Sequence, residues 1–374
     1  MTVFVSAGEP SGDQHAGALI AALRTLAPGV AVEGVGGQHL AAAGARLMAR
    51  IEDLTVIGFV EVVRKLPAHW RLLRSIRRRL AAGDVRLVIL VDYPGFHLRV
   101  AEAAHRAGVP VLYYVAPQLW AWGERRVHRM ARTVTRLAVI LPFEEAFFSS
   151  RGVPATFVGH PLADRPPAAP RAELRRQLGL DPGRPVLGLF PGSRAQEVAR
   201  LWPAFLEAAS LVRRQRPEVQ AVVAATEGAS YPGGSGAEGA DAVTIVRGRP
   251  RECFGAADAA LCKSGTSTLE AAMAGTPLVV AYRMNPVSYL LARGLVRVRW
   301  IGMVNLVAGR PVAPELIQGA VRGEALARAV LPLLEPASAE RQAQLEGLAV
   351  VRRRLGEPGA AMRAAELARA LLAA

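Results

Sequence analysis

Cysteine is nearly missing: 374 residues hold two, Cys253 and Cys262. No CxxC pair exists, which excludes a secreted disulfide framework and a cysteine-rich zinc site. Cys262 lies in an apolar run and reads as a buried thiol. Aromatic residues make up 6% of the chain, too few for the stacking platforms of a single-strand nucleic-acid binder. No apolar run reaches the roughly 18 residues that a spanning helix needs. The first residues, MTVFVSAGEP, start as a strand and lack the basic start and apolar core of a signal peptide. The first strand is not followed by GxGxxG, so the dinucleotide fingerprint is missing and a nicotinamide dehydrogenase is the weakest reading. No cluster of Asp, His or Cys has metal-ligand spacing. The expectation is a soluble, reduced, cytoplasmic protein with at most a peripheral hold on a membrane.

What is in excess is positive charge. The chain carries 46 basic and 31 acidic residues, a net charge of +15. That favours an anionic partner such as nucleic acid, anionic lipid or a phosphorylated ligand, without choosing among them.

Length alone predicts two domains. Apolar β-rich runs alternate with helical patterns: Val3–Ser6, Ala31–Val35, Arg86–Asp92, Val111–Val115 and Leu137–Leu141. Such alternation predicts a parallel sheet wrapped by helices. Pro161–Arg171 then breaks the pattern with four prolines in eleven residues, a stiff connector. The alternation restarts at Val186–Phe190 and continues through Val219–Ala224, Val243–Val246, Ala259–Cys262 and Pro277–Ala281. The expected architecture is α/β with two facing Rossmann-like domains, residues 1–163 and 164–345, and a helical tail over 346–374. Ligands of such domains bind at the carboxyl ends of the strands.

Several loops after strands carry chemistry. SAGEPSGD, Ser6–Asp13, is either a ligand loop with free N–H groups or a tight turn capped by Ser11 or Asp13. In VDYPGFH, Asp92 ends an apolar strand where packing needs no carboxylate, which points to a general base. His97 in the same string reads as a capping or surface residue. APQLWAWGERR, Ala116–Arg126, sets Trp120 and Trp122 beside Arg125 and Arg126. It suits a lipid contact or plain core packing equally. In FPGSR, Ser193 and Arg194 follow Gly192 into a helix. A cation in a first helical turn is unfavourable unless an anion is bound, which suggests a diphosphate site. KSGTSTLEAAMAGTPLVV can hold a diphosphate on Gly265–Thr268, with Glu270 facing ribose hydroxyls. Val56–Leu80 mixes Phe59, Val63 and Trp70 with Arg71, Arg74 and other basic residues. It reads as an amphipathic membrane dock or as a helical layer with a charged outer side. Tyr282–Gln318, with Arg283, Asn305 and Glu315, names no function by itself.

Read together, SAGEPSGD, DYPGF, WAWGERRV, LPFEEAFF, VGHPLAD, LFPGSR, SGTSTLEAAMAGTPLVVAYRMNP and NLVAGRPVAPELIQ resemble the lipid A disaccharide synthase family. The resemblance covers roughly residues 2–335 and implies an inverting glycosyltransferase of the GT-B architecture. It implies transfer from UDP-2,3-diacylglucosamine to 2,3-diacylglucosamine 1-phosphate, giving a β-1,6-linked disaccharide phosphate and UDP, without metal or cofactor. By the same resemblance Asp92 is the general base, and Arg194 holds the departing diphosphate. Ser264, Gly265, Thr266, Ser267, Thr268 and Glu270 form the donor loop, and Gly192, Ser193 and Arg283 are further substrate-binding candidates. Glu9, Ser11 and Asp13 lie on the acceptor side, and Asn305 matches a cleft asparagine. Two positions depart from the family pattern: Gly95 stands where an acid is frequent, and His97 where Asn is usual. Neither receives a catalytic role. The implied partners are the two lipid substrates and an anionic membrane on its inner-membrane cytoplasmic face, with no nucleic acid; the family also suggests a homodimer. The rivals are another UDP-sugar enzyme, such as the peptidoglycan disaccharide-lipid transferase or a UDP-N-acetylglucosamine epimerase, and a non-catalytic anion-binding module. The module leaves Asp92, Arg194 and the Gly265 loop unexplained as a set.

Overall fold

The computed structural model describes residues 1–51, 59–166, 168–234, 243–286, 289, 294 and 298–374, with the side chains of 59–66 and 125 left aside. The chain forms two compact domains. The first is Met1–Asp164 together with Leu355–Ala374, and the second is Arg165–Arg354.

The first domain holds a seven-stranded, wholly parallel sheet. Its strands are β1 (Thr2–Ala7), β2 (Ala31–Gly36), β3 (Arg46–Arg50), β4 (Val85–Val91), β5 (Val111–Tyr114), β6 (Arg136–Val139) and β7 (Ala155–Phe157), in the order β3-β2-β1-β4-β5-β6-β7. The continuous apolar run of β4 is explained by burial on both faces. Val88 and Leu90 join Leu72, Leu73, Ile76 and Leu80 of helix Phe59–Ala81 on one side. Leu87, Ile89 and Val91 join Leu19, Ile20 and Leu23 of helix Pro10–Leu26 on the other.

The final helix, Ala360–Ala373, completes that second layer through Ala364, Ala365 and Ala368. The stretch expected as a separate tail, 346–374, is therefore divided. Helix Ala339–Arg354 stays with the second domain, and the last helix returns to the first. Small side chains let it lie close to the sheet. Asp164 caps its start, accepting from the N–H groups of Gly359 (2.6 Å) and Ala360 (3.1 Å).

The second domain repeats the design with six parallel strands. They are β8 (Val186–Phe190), β9 (Gln220–Ala225), β10 (Val243–Arg247), β11 (Ala259–Lys263), β12 (Leu278–Tyr282) and β13 (Glu315–Ile317), ordered β10-β9-β8-β11-β12-β13. Trp202, Phe205 and Val212 of helix Ala195–Gln215 pack with Leu326, Val330 and Leu333 of helix Gly323–Leu334 on one face. Among the described residues no helix is long and apolar enough to cross a membrane.

Candidate functional site

In each sheet one place stands out, because the connections on its two sides run in opposite directions. In the first sheet it lies between β1 and β4, in the second between β8 and β11. Open α/β sheets leave a crevice at such a point, outside the carboxyl ends of the strands. The loops after these four strands are SAGEPSGD, DYPGFH, PGSR and KSGT, all marked as candidates by sequence.

After β4 the backbone is strained. Asp92 and Tyr93 both take the left-handed conformation, with φ of 52° and 51°. Val115, just past the neighbouring β5, has φ 63°. A β-branched residue there is a genuine outlier, and each such residue costs about 1–3 kcal/mol. Strain of this kind persists only where surrounding contacts over-determine it. The carbonyl oxygen of Asp92 accepts from the Tyr113 hydroxyl (2.6 Å) and lies 2.6 Å from Nδ1 of His97. Nε2 of His97 lies 2.8 Å from Oγ of Ser6. The Tyr93 ring covers Gly8, where a Cβ would come within 2.2 Å of the ring carbon Cγ. The glycine of the first loop thus makes room for an aromatic ring. The Tyr93 hydroxyl is 3.1 Å from Nε2 of His69.

Burial, and secondly the charge of Glu9, push the Asp92 carboxyl up to about 6. A strand-end carboxylate poised near neutrality is suited to accept a proton. Glu9 is half-buried at the start of helix Pro10–Leu26, and Ser11 is exposed beside it. Asp13 is different. Its carboxylate is buried and accepts from the N–H groups of Gly37 (2.6 Å), His39 (2.9 Å) and Leu40 (3.2 Å). It caps the short helix Gln38–Ala42 rather than its own, so it shapes the loop and does not reach outward. Trp120 donates to the buried Glu144 (2.9 Å) and sits edge-on to Phe143, whereas Trp122 is exposed beneath Arg126. Burial pushes Glu144 up to about 8.

In the second domain the turn after β8 places Arg194 at the cap of helix Ala195–Gln215. Gly192 has φ 134°, and a Cβ on it would run into Glu197. Glu197 organises the loop. It accepts from the N–H of Ser193 (3.2 Å), pairs with Lys263 (3.0 Å) and lies 3.9 Å from the guanidinium of Arg194. The carbonyl of Gly192 is tied down by the Thr226 hydroxyl (2.7 Å). After β11, Gly265 (φ 140°) caps helix Thr266–Ala274, whose first-turn N–H groups have no partner within the helix. Thr266 is exposed, Ser267 half-buried, and Thr268 turns inward to bond the Gly265 carbonyl (2.8 Å). Glu270 pairs with Arg165 (2.9 Å). Two helix N-termini, Arg194 and Lys263 therefore belong to one end of one sheet. That is a setting for a doubly charged anion.

Two expected substrate contacts turn out to be internal. Asn305 is buried, and its amide makes four hydrogen bonds. Nδ2 donates to Ala313 O (2.8 Å) and Glu315 Oε1 (2.7 Å), and Oδ1 accepts from Val312 N (2.7 Å) and Ala313 N (2.9 Å). Glu315 in turn receives the N–H groups of Ile301 (3.0 Å) and Gly302 (2.8 Å), and Ser264 donates to the Ile301 carbonyl (2.6 Å). Asn305 thus supports the Ser264–Gly265 loop from behind. Asn305→Ala is expected to lower stability by about 2–4 kcal/mol in denaturant titrations, because buried partners lose their hydrogen bonds. Arg283 likewise spends its guanidinium on the carbonyls of Val321 and Arg200.

Of the expected membrane residues, Phe59 and Val63 lie in helix Phe59–Ala81, but their side chains are outside the described residues, as is all of 52–58. Leu72, Leu73, Ile76 and Leu80 face the core. Trp70, Arg71 and Arg74 are exposed, with Arg99 stacked 5.5 Å from the Trp70 ring. Among the described residues no group of three or more His, Cys, Asp or Glu side chains could hold a metal ion.

Comparison with known proteins bears on the chain as a whole. A family model described as lipid-A-disaccharide synthetase matches residues 3–368. The lipid-A-disaccharide synthase of Anaeromyxobacter sp. (strain K) is 43% identical over 367 residues, spanning 97% of this chain and 96% of that protein. Among solved structures, MurG of Acinetobacter baumannii matches with a TM-score of 0.58 and 16% identity over 99% of both chains. The UDP-GlcNAc 2-epimerase of Neisseria meningitidis, bound to UDP-GlcNAc, matches with a TM-score of 0.60 and 12% identity over 100% of this chain and 98% of that one. At such identities these structures speak for the fold alone, the two-domain GT-B architecture.

Proposed function

The chain belongs to the lipid-A-disaccharide synthetase family, and we propose that it joins UDP-2,3-diacylglucosamine to 2,3-diacylglucosamine 1-phosphate with inversion at the donor carbon. The observation that carries this reading is Asp92: a carboxyl held in a strained turn at a sheet switch point and poised near neutrality. The acceptor 6-hydroxyl oxygen forms a bond to the anomeric carbon as the bond from that carbon to the diphosphate oxygen breaks. The hydroxyl proton passes to Asp92, and UDP leaves with the bonding electron pair. Attack opposite the leaving group turns an α-linked donor into a β-linked product.

The charge that grows on the diphosphate falls to Arg194 and the first turn of helix Thr266–Ala274. Lys263 and Arg194 supply fixed positive charge there, so turnover is expected to continue in EDTA. The test is purified protein with both substrates, following UDP and disaccharide. Product that requires the acceptor establishes the transfer; UDP-N-acetylmannosamine formed from UDP-N-acetylglucosamine with no acceptor would replace it with an epimerase.

Both substrates are lipids, so the enzyme must meet a bilayer. Exposed Trp70, Arg71 and Arg74 are the proposed dock, with Arg77 and Arg78 further along the same helix. Each basic residue near an anionic leaflet contributes about 1 kcal/mol. Trp70→Glu combined with Arg71→Glu should weaken co-sedimentation with phosphatidylglycerol vesicles more than tenfold, and salt should weaken wild-type binding in the same assay. Unchanged vesicle binding by the double variant would place the dock elsewhere.

A further inference from the structure

We propose that His97 is a positioning residue for the transfer: together with the Tyr113 hydroxyl it pins the main-chain carbonyl of Asp92 and so aims the carboxylate. The inference rests on the proposed role of Asp92 as base.

The hydrogen-bond chemistry is fixed by the partners. A carbonyl oxygen only accepts, so Nδ1 of His97, 2.6 Å from the Asp92 oxygen, carries the proton. Nε2 is then the acceptor, and the Ser6 hydroxyl, 2.8 Å away, donates to it. The Asp92 carbonyl thus fixes the tautomer, and the Ser6 hydroxyl anchors the ring at its other nitrogen. Both groups are buried, and burial lowers the imidazole to about 4, so the ring stays neutral wherever the enzyme works. The Tyr113 hydroxyl fills the second lone pair of the same carbonyl at 2.6 Å.

The three supporting side chains come from three elements: Ser6 on β1, Tyr113 on β5 and His97 on helix Pro94–Arg106. A left-handed aspartate followed by a left-handed tyrosine has no local reason to persist. With the carbonyl released, the peptide can relax to an extended or right-handed conformation, and the carboxylate swings away from its place. An ordinary buried histidine would satisfy its ring on whatever polar atom is near. Here the atom is the backbone oxygen of the proposed base itself. The charged and titratable groups around that carboxylate are Glu9, Tyr93 and Tyr113, with Glu144 further off.

Three variants test this. His97→Phe keeps an aromatic ring in the buried slot and removes the donor. His97→Asn restores an N–H donor on a shorter side chain, and Tyr113→Phe removes the other donor. In the disaccharide assay His97→Phe is expected to lower kcat about 100-fold, the scale of a 1 Å misplacement, with KM for both substrates within about threefold. His97→Asn should recover most of that loss, and Tyr113→Phe should show a smaller drop of the same kind. A purely structural histidine would lower thermal stability but leave kcat per folded molecule unchanged. That outcome, or His97→Asn as slow as His97→Phe, overturns the proposal.

A second measurement needs no turnover. The pH dependence of the stability difference between each protein and its Asp92→Asn counterpart reports the Asp92 carboxyl directly. In the His97→Phe background that carboxyl should fall from about 6 toward the ordinary aspartate value as it reaches water. An unchanged value would show that the clamp does not hold it. If the carboxyl shifts as expected while wild type makes no disaccharide, the clamp stands and the assigned reaction fails.

Discussion

Asp92→Asn is expected to cut turnover by about 10²–10⁴-fold and, at neutral pH, to make the protein more stable. The two effects share one cause. The folded protein raises the Asp92 carboxyl from 3.8 to about 6, chiefly by burying it. The folded state therefore favours the protonated form. Below about pH 4 both folded and unfolded chains are protonated there, and nothing is lost. Between about pH 4 and 6 the unfolded chain ionises there while the folded carboxyl stays protonated, and as pH rises to the folded value stability falls by about 3 kcal/mol. Asn keeps the shape, carries no charge and is among the few residues that enter the left-handed region readily.

The stability gap between Asp92→Asn and wild type should therefore open between pH 4 and 6 and stay constant above. Wild-type kcat/KM should rise about tenfold per pH unit below 6 and level off above it, because only the ionised carboxylate accepts a proton. Denaturant titrations and a pH–rate profile check both statements. A variant less stable than wild type at pH 7.5, or a rate that is flat down to pH 4.5, would remove Asp92 as base.

How much of this the sequence announces depends on the element. The long interior strands are legible because both faces are buried: β4 is a run of seven residues, Val85–Val91, with no need for alternation. The three strands that sequence reading misses are β3, β7 and β13, which lie at the sheet edges and are short or carry arginine and glutamate. Pairing with a neighbour forms them, and local composition does not.

At the site, Asp92, Arg194 and the Gly265 loop are visible because each is an odd residue choice after an apolar strand. Their placement at switch points is not visible, since strand order is a tertiary property. His97 reads as a lone capping histidine because its partners, Ser6 and Tyr113, are remote in sequence. Asn305 shows the opposite error. Only the family resemblance marks it as a cleft residue, and its four internal hydrogen bonds become visible only in the fold. Lys263 heads the KSGT string but Glu197 carries no motif of its own, and only the fold reveals that they meet.

Arg194→Ala should lower kcat by about 10²–10³-fold while leaving stability within about 0.5 kcal/mol of wild type. The side chain is 75% exposed, and its nearest acid, Glu197, is 3.9 Å away, so folding gains little from it. Its position even opposes folding slightly, because a cation sits at the positive end of helix Ala195–Gln215. A residue that contributes nothing to the resting structure and suffers an unfavourable field has its use with an anion present. A departing diphosphate gains charge as the glycosidic bond breaks, so the guanidinium binds the transition state more strongly than the bound donor. The loss should accordingly appear in kcat more than in KM.

Arg194→Lys should recover less than a tenth of the lost rate, since an ammonium cannot offer two parallel N–H groups to phosphate oxygens. Lys263 behaves differently. It is already paired with Glu197 at 3.0 Å and half-buried, so Lys263→Met should disturb the loop and raise KM for the donor as well as lower kcat. Steady-state kinetics of the three variants beside thermal melts separate the two roles. Arg194→Ala with wild-type kcat, or with a large loss of stability, would show that the arginine serves the fold and that the diphosphate is held elsewhere.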